Sequence, residues 1–298
     1  MNLRFNYTNK PSVLNIARKT ILPCLVTFVL FSVASAQATI YVTADNGTTN
    51  LFGTLDITTG QFTQINTTTP LFYAMTTGPG GQIYGADLNS GGLFKISPSG
   101  GTTPFGSVTA PDAFYGLAYS AASGNFFADN LNSTNVTLYS IAGDGNSSSS
   151  FVPGTLSPIP GIFPTGNLAF GPGGKLYYNY SGDQINATNS QLYTVNTSTG
   201  VLTPVGTGLG STILTMFSDA GTLYGIDTFD TSGLGIFSIN TTTGLATQIS
   251  TVTGLPPSND YFLDTATSSV PDIGSSLELL SLALIVLLIG KALRWRVA

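Results

Sequence analysis

The residues best suited to chemistry in this sequence are aspartates that recur at one place in a repeated pattern. Each follows a short apolar run, and Asn179 takes the corresponding place in one copy. The aspartates are Asp45, Asp87, Asp129 and Asp227. Carboxylate and amide oxygens, without nitrogen or sulfur, are the ligands that calcium prefers. If the copies surround one axis, these side chains form a broken ring that could hold calcium.

Turn chemistry offers a second interpretation of the same aspartates. Asp and Asn side chains commonly accept hydrogen bonds from the backbone amides of the turn that they begin. This role explains their repetition without any ion. Both interpretations stay open at the level of sequence.

The residue types that are missing exclude most enzyme chemistry. Residues 37–269 contain no His, Cys, Glu or Arg. Ser-His-Asp and Cys-His arrangements and histidine metal centres are therefore excluded. A paired-carboxylate glycosidase could use two aspartates, but no spacing selects a pair. We expect a protein that is not an enzyme, and the alternative is a calcium-dependent extracellular propeller hydrolase of the lactonase or esterase type.

The charge balance excludes another class of partner. Residues 37–269 contain two basic residues, Lys95 and Lys175, against twelve aspartates, which gives a net charge of -10. So acidic a surface repels phosphate backbones, and nucleic acid is not an expected partner. No cofactor is expected, with calcium as the one candidate ion.

A repeated sequence pattern predicts the strands that position these aspartates. One copy contains Gln82–Asp87 and Gly92–Ile96, a later one contains Thr222–Asp227 and Gly235–Ile239, and further copies begin near Ala113 and Gly166. The pattern returns about every 40 to 50 residues, the interval typical of propeller blades. Each copy has four short alternating runs separated by turns rich in Gly or Asn, which predicts four antiparallel strands.

The ends of the repeated region predict how the propeller closes. Residues 38–42 match the second strand of a repeat, and residues 261–266 match the missing first strand. A C-terminal strand that completes the N-terminal blade removes the open edges. The sequence therefore predicts an all-β fold over residues 37–268, a single five-bladed β-propeller of four-stranded antiparallel blades.

Large aromatic residues recur in the second and third strands and predict packing between blades. The second-strand set is Tyr41, Tyr84, Phe127, Tyr177 and Tyr224. The third-strand set is Phe52, Phe94, Tyr139, Tyr193 and Phe237. We expect each set to occupy one equivalent place in the repeat.

The N-terminal residues 1–36 have the three parts of a secretory signal peptide. A basic stretch precedes the apolar run from Ile21 to Val33, and Ala34-Ser35-Ala36 precedes Gln37. The small residues at Ala34 and Ala36 predict cleavage after Ala36, so that the mature chain begins at Gln37. An uncleaved anchor helix is the alternative.

The C-terminal region has a short motif, an apolar segment and a basic end, in that order. Residues 269–276 form a linker with Val270, Pro271 and Asp272, and residues 277–298 form a predicted transmembrane helix that ends in a basic tail with Arg294 and Arg296. This order resembles the PEP-CTERM class of sorting signals, in its Val-Pro-Asp variety. The resemblance implies an exosortase-type processing enzyme as a partner. A plain C-terminal membrane anchor is the alternative.

The repeats resemble those of propellers in secreted bacterial proteins, whose activities are diverse, and fold alone does not give a function. The signals at both ends predict an exported protein of the cell envelope, outer surface or extracellular matrix, with a membrane-anchored precursor. We expect a non-catalytic propeller for binding or structural display, facing polysaccharide or other surface proteins. A coat component without a specific ligand is a further possibility.

Overall fold

The structure is a computed structural model, and it describes eight stretches of the chain: residues 38–46, 49–109, 113–132, 135–151, 165–181, 190–227, 234–256 and 262–267. Several predicted features lie outside them: the signal peptide and its cleavage residues Ala34, Ala36 and Gln37, the motif Val270, Pro271 and Asp272, the apolar segment, and Arg294 and Arg296. Within the described stretches, no helix is long and apolar enough to cross a bilayer.

The described residues form five four-stranded antiparallel sheets, which are the blades. Each is given from its inner to its outer strand. Blade 1 contains β20 (Phe262–Thr267), β1 (Ile40–Asp45), β2 (Asn50–Leu55) and β3 (Phe62–Thr67). Blade 2 contains β4 (Phe72–Thr77), β5 (Ile83–Asp87), β6 (Gly92–Ile96) and β7 (Thr102–Thr109). Blade 3 contains β8 (Phe114–Tyr119), β9 (Phe126–Asn132), β10 (Asn135–Ile141) and β11 (Ser148–Phe151).

The last two blades follow the same order. Blade 4 contains β12 (Thr165–Phe170), β13 (Leu176–Ser181), β14 (Gln191–Val195) and β15 (Leu202–Val205). Blade 5 contains β16 (Ile213–Asp219), β17 (Thr222–Asp227), β18 (Gly235–Ile239) and β19 (Ala246–Thr251). Two short 3₁₀ turns, Pro79–Gly81 and Pro172–Gly174, join inner to second strands in blades 2 and 4.

Closure of the ring takes place in blade 1, as predicted. Strand β20 pairs antiparallel with β1 in a continuous register from Ile40–Thr267 to Asp45–Phe262. The inner strands β20, β4, β8, β12 and β16 pack against one another in sequence and surround a central channel. The prediction of an all-β, five-bladed propeller of four-stranded antiparallel blades is confirmed.

The hydrophobic core consists of five clusters, and each lies between two neighbouring blades. The cluster between blades 2 and 3, for example, joins Tyr84 and Leu93 to Phe114 and Phe126. The clusters between blades 1 and 2, 3 and 4, 4 and 5, and 5 and 1 are built in the same way. Because each blade buries both faces against neighbours, the stability of the propeller depends on the complete ring.

The second-strand aromatic residues occupy one equivalent place, as predicted. Each pairs with the fifth residue of its inner strand, and each packs against the blade that follows. Tyr84 of blade 2, for instance, contacts Phe126 of blade 3 with ring centroids 4.9 Å apart and planes at 62°. Such edge-to-face contacts are a preferred arrangement of aromatic pairs.

The prediction for the third-strand aromatic residues is wrong for Phe52. The other four pair with second-strand residues at one common position of the repeat. Phe52 instead pairs with Thr43, which lies one residue away from that position along its own second strand. The physical reason is the pleat: a shift of one residue turns a side chain to the other face of the sheet. Phe52 therefore packs towards blade 2, and Gly53 takes the place that its counterparts fill.

The outermost hairpins are closed by polar turn residues. In the first, Asp56 accepts hydrogen bonds from the backbone amides of Thr58 and Thr59, and Gly60 adopts a φ of 76°. These bonds lower the pKa of Asp56, with the Thr59 amide as the larger cause. The Asn196 turn is built in the same way. These polar residues therefore stabilise the turns that they begin.

Candidate functional site

The central channel contains a ring of five equivalent residues, the third residue of each inner strand. We call it the channel ring, and it consists of Ala74, Gly116, Asn167, Thr215 and Asp264. The polar members Asn167, Thr215 and Asp264 lie in the adjacent blades 4, 5 and 1, whereas Ala74 and Gly116 in blades 2 and 3 supply no polar side chain. The described interior of the channel is therefore unusually polar for a core position of a β-sheet.

Asp129 reaches the channel ring from the second strand of blade 3. It pairs with Gly116, and a Cβ atom placed on Gly116 would lie 2.5 Å from Asp129 Oδ1. The same hypothetical atom would lie 2.8 Å from the backbone nitrogen of Leu168 in blade 4. The carboxylate of Asp129 thus occupies the space that a side chain at position 116 would need, beside the inner strand of blade 4.

Asn167 and Asp264 meet across the channel, although their blades are not neighbours. Asn167 Nδ2 donates a hydrogen bond to Asp264 Oδ1 at 3.4 Å, and the backbone amide of Thr265 donates to the same oxygen at 2.8 Å. Asn167 Oδ1 accepts from the backbone amide of Met216 at 3.2 Å. The Met216 contact fixes which end of the amide faces Asp264, because an amide nitrogen cannot accept that bond.

Asn179 supports this arrangement from the second strand of blade 4. Its Oδ1 accepts a hydrogen bond from the backbone amide of Asn167 at 2.9 Å, and its Nδ2 donates to the carbonyl of Ile213 in blade 5. Both asparagines therefore join blade 4 to blade 5. We call Asp129, Asn167 and Asp264 the channel core.

The channel core is sealed from solvent, and this changes its electrostatics. Asp129 is 0% exposed and Asp264 is 1% exposed. Burial raises the pKa of Asp129 to about 7, because desolvation penalises the charged form and the nearby backbone amides of Gly116 and Asp129 offset it only in part. Burial also raises the pKa of Asp264 well above its usual value, and the charge of Asp129 raises it further.

A cavity of about 110 Å³ lies next to the channel core, where the inner strands end. Its lining includes Leu168 and Thr265, which follow Asn167 and Asp264 directly in the chain. Tyr119, Phe170 and Thr267 line it nearer the strand ends. Apolar and hydroxyl-bearing side chains thus separate the two carboxylates from this cavity.

The four predicted aspartates do not share one level of the propeller. Asp45, Asp87 and Asp227 each pair with the first residue of an inner strand. In blade 3 that place belongs to Asn130, which pairs with Phe114, while Asp129 pairs with the channel-ring residue Gly116. The expectation that these side chains share one rim is therefore wrong for Asp129, and also for Asn179, which pairs with the channel-ring residue Asn167.

Asp87 carries out the turn role at this rim. Its Oδ1 accepts from the backbone amide of Leu71 at 2.9 Å, and its Oδ2 accepts from the amide and hydroxyl of Ser90. Asn130 makes an analogous bond, in which its Nδ2 donates to the carbonyl of Ala113 at 3.1 Å. In blades 2 and 3, these side chains tie the loop that enters the inner strand to the end of the second strand.

Asp45 makes a different contact, which joins two blades. Its Oδ2 accepts a hydrogen bond of 3.2 Å from the hydroxyl of Tyr73 in the inner strand of blade 2. Burial, with the charge of Asp45 as a lesser cause, raises the pKa of Tyr73 to about 12. The phenol therefore stays protonated and acts as a donor at every physiological pH.

Sequence reasoning missed two members of the channel core, Asn167 and Asp264. An acidic residue inside the apolar run Phe262–Ala266 was the available signal, because buried carboxylates need a partner. Within the described stretches, no three His, Cys, Asp or Glu side chains lie together as a metal cluster. The channel core instead combines two carboxylates with one amide.

Comparison with known proteins does not identify a family for this chain. No family model and no curated protein matches the chain. Among solved structures, a streptogramin B lyase is 17% identical over 75% of this chain and 72% of its own, with a TM-score of 0.43. TolB from Acinetobacter baumannii is 13% identical over 84% and 62%, with a TM-score of 0.48. The nidogen/laminin complex contains a chain 12% identical over 77% and 98%, also at 0.48. At these identities the likeness concerns the fold alone.

Proposed function

We propose that this protein is exported and displayed at the cell surface or in the extracellular matrix, where its propeller serves as a non-catalytic binding or structural module. One observation carries the non-catalytic part. The two carboxylates that converge in the channel are 0% and 1% exposed, so a substrate does not reach them in this conformation. The absence of His, Cys, Glu and Arg from the sequence of residues 37–269 agrees with a non-catalytic role.

The outer surface of the blades fits a display role. Strand β3 exposes the residues Thr63 to Thr67, and β19 exposes Thr247 to Ile249. Their side chains are mostly uncharged and polar, while exposed Ile65 and Ile249 stand singly. Such surfaces hydrogen-bond to water and to sugar hydroxyls without strong charge. Polysaccharide and other surface proteins are the proposed partners.

The predicted tail supports the proposed location. Its Val270-Pro271-Asp272 motif, apolar segment and basic end resemble a sorting signal that an exosortase-type enzyme processes. The tail lies outside the described residues, so this part of the proposal depends on sequence. A retained C-terminal helix would keep the same propeller at the membrane.

The intact mass of the protein, recovered from the surface and medium of its own host, tests this proposal. We expect the mature mass to begin at Gln37 and to end before Leu277. Material trapped in the membrane provides the matched comparison, because it should keep residues up to Ala298. A surface-recovered mass that still includes the tail would contradict processing and favour a plain anchor. A mass that still includes residues 1–36 would contradict the signal peptide.

The convergence of Asp129 and Asp264 favours one second candidate, a calcium-dependent extracellular hydrolase. Two facing carboxylates could hold an ion that polarises an ester or lactone carbonyl. Hydrolysis of a panel of aryl esters and lactones by the purified protein, with and without calcium, distinguishes the candidates. Turnover that the Asp264→Asn variant loses would replace the display proposal.

A further inference from the structure

The channel core contains buried charge-bearing atoms without partners. Among the described residues, both carboxylate oxygens of Asp129 and Oδ2 of Asp264 find no hydrogen-bond donor, and both side chains are almost fully buried. Buried polar atoms in folded proteins are nearly always paired, and an isolated buried carboxylate is costly. Three unpaired oxygens in one channel therefore call for a ligand or for protons.

Cationic side chains do not supply the missing charge. The two lysines of the propeller, Lys95 and Lys175, are both exposed. Lys95 lies over the ring of Phe105 at 5.0 Å, near the outer strand of blade 2. Both carboxylates adjoin Asn167: a Cβ atom placed on Gly116 would lie 2.5 Å from Asp129 Oδ1 and 3.1 Å from Asn167 Cα, and Asn167 Nδ2 donates to Asp264 Oδ1. Two negative groups thus face the channel with no described positive group beside them.

We propose that the channel core binds one hard divalent cation, calcium in the first place, between the carboxylates of Asp129 and Asp264. The donor set consists of oxygens only, which calcium prefers. A divalent ion would neutralise both carboxylates at once. The site differs from the predicted ring of four aspartates, since only Asp129 belongs to both.

Asn167 is a positioning residue for this site. Its Oδ1 is used by the amide of Met216, so its Nδ2 is the end that faces Asp264. That bond, with the bond from the amide of Thr265, occupies Oδ1 of Asp264 and leaves Oδ2 for the ion. Outer partners of this kind orient metal ligands in many sites.

The inner strands of blades 2 and 3 provide space instead of ligands. The channel ring has Ala74 in blade 2 and Gly116 in blade 3, and the absence of a side chain at Gly116 lets Asp129 reach the channel. The cavity of about 110 Å³ lies one residue farther along the inner strands. We expect the ion to enter from that side, past Leu168 and Thr265.

Thermal unfolding and calorimetry of the full-length chain in mild detergent test the proposal. The protein is first treated with a chelator at pH 7.5 and then titrated with calcium chloride. We expect heat of binding and a rise in Tm of about 5 °C or more when calcium is in large excess over the Kd. Magnesium should give a smaller shift, because it gives up its water reluctantly and this site is sealed.

The variant Asp129→Asn should lose the calcium-dependent rise in Tm. It keeps the shape of the side chain, and neither carboxylate oxygen has a hydrogen bond to lose. Asp144→Asn is the matched control, because Asp144 lies in an exposed turn, and it should keep the full rise. Asp264→Asn is the second variant, for use if Asp129→Asn does not fold.

Two results would overturn the proposal. The first is wild-type protein without heat or Tm shift at millimolar calcium, which would mean that protons alone neutralise the core. The second is an Asp129→Asn or Asp264→Asn variant that keeps the wild-type rise, which would place the ion elsewhere on the chain. Loss of the rise in Asp144→Asn would likewise assign it to the surface.

Discussion

Asp129 has no oppositely charged partner among the described side chains. Its protonation should therefore control the free energy of unfolding once metal is removed. Its pKa is raised to about 7 in the folded state, mainly by burial, against about 3.9 in an unfolded chain. The folded state therefore binds the proton more tightly. This contribution to the free energy of unfolding is complete below about pH 4 and is lost as the pH rises through about 7.

We expect Asp129→Asn to remove this part of the pH dependence. Between pH 5 and 8, in chelator, the free energy of unfolding should fall more steeply for wild type than for the variant, by at most about 1.4 kcal/mol per pH unit. Urea unfolding at several pH values measures it. Asp144→Asn is the control, because backbone bonding to Asn146 lowers the pKa of Asp144, so its effect lies at low pH. Parallel profiles for wild type and Asp129→Asn would contradict the assignment.

At the scale of residues, the sequence predicted the aspartate pattern but not the level of each aspartate. Blade 3 reads Ala128-Asp129-Asn130, and the Ala-Asp pair matches Ala86-Asp87 of blade 2 by letter. Distance from the second-strand aromatic residue gives a different alignment: Asp87 lies three positions after Tyr84, but Asp129 lies two positions after Phe127. Counting from the aromatic residue would have placed Asp129 deeper in the channel.

Elements of neighbouring blades are joined at the outer edge as well as in the core. The first hairpin of blade 1 contacts the end of blade 5, where the backbone amide of Phe62 donates to the carbonyl of Thr253 and that of Thr253 donates to the carbonyl of Gly60. Ser250 also donates its hydroxyl to the carbonyl of Ile57. These bonds cross the same junction that closes the ring.

The contact at Gly60 should be sensitive to a single methyl group. Gly60 has a φ of 76°, and a Cβ there would lie 1.9 Å from the carbonyl oxygen of Thr251. Gly60→Ala therefore adds a clash with the backbone to the cost of a left-handed conformation, which is about 1 kcal/mol for a non-glycine residue. We expect a loss of about 2 to 4 kcal/mol in the free energy of unfolding, measured in urea.

The variant Gly173→Ala separates the cost of the backbone clash from the cost of the left-handed conformation. Gly173 has a φ of 70°, and a Cβ there would have no atom within 4 Å. It should cost only the conformational part, about 1 kcal/mol. Equal losses for the two variants would mean that the junction between blades 1 and 5 does not depend on close approach at Gly60.

At the scale of elements, periodicity predicted strand number and order, because alternation and turn residues are local properties of the chain. It did not predict the place of Phe52. Phe52 lies two residues from Thr54, the partner of Tyr41, whereas Phe94 lies one residue from Lys95, the partner of Tyr84. This difference in register turns Phe52 to the other face of its sheet without changing the order of aromatic and turn residues, so comparison of the repeats did not detect it.

At the scale of the whole molecule, the ring is closed by its last described strand. Strand β20 supplies Leu263 and Ala266 to the clusters with blades 5 and 2, and it supplies Asp264 to the channel core. It also covers the edge of β1 along six residue pairs. The first blade is therefore incomplete until β20 has been synthesised.

Truncation before β20 should accordingly prevent the propeller from folding. A chain that ends at Asp260 leaves the edge of β1 exposed and opens two interblade clusters, and open edges of this kind promote aggregation. A chain that ends at Ser269 keeps β20 and serves as the control. We expect the longer chain to be a monomer by light scattering with one cooperative thermal transition, and the shorter one to aggregate or to lack that transition. Equal transition temperatures for the two chains would show that β20 contributes nothing to closure.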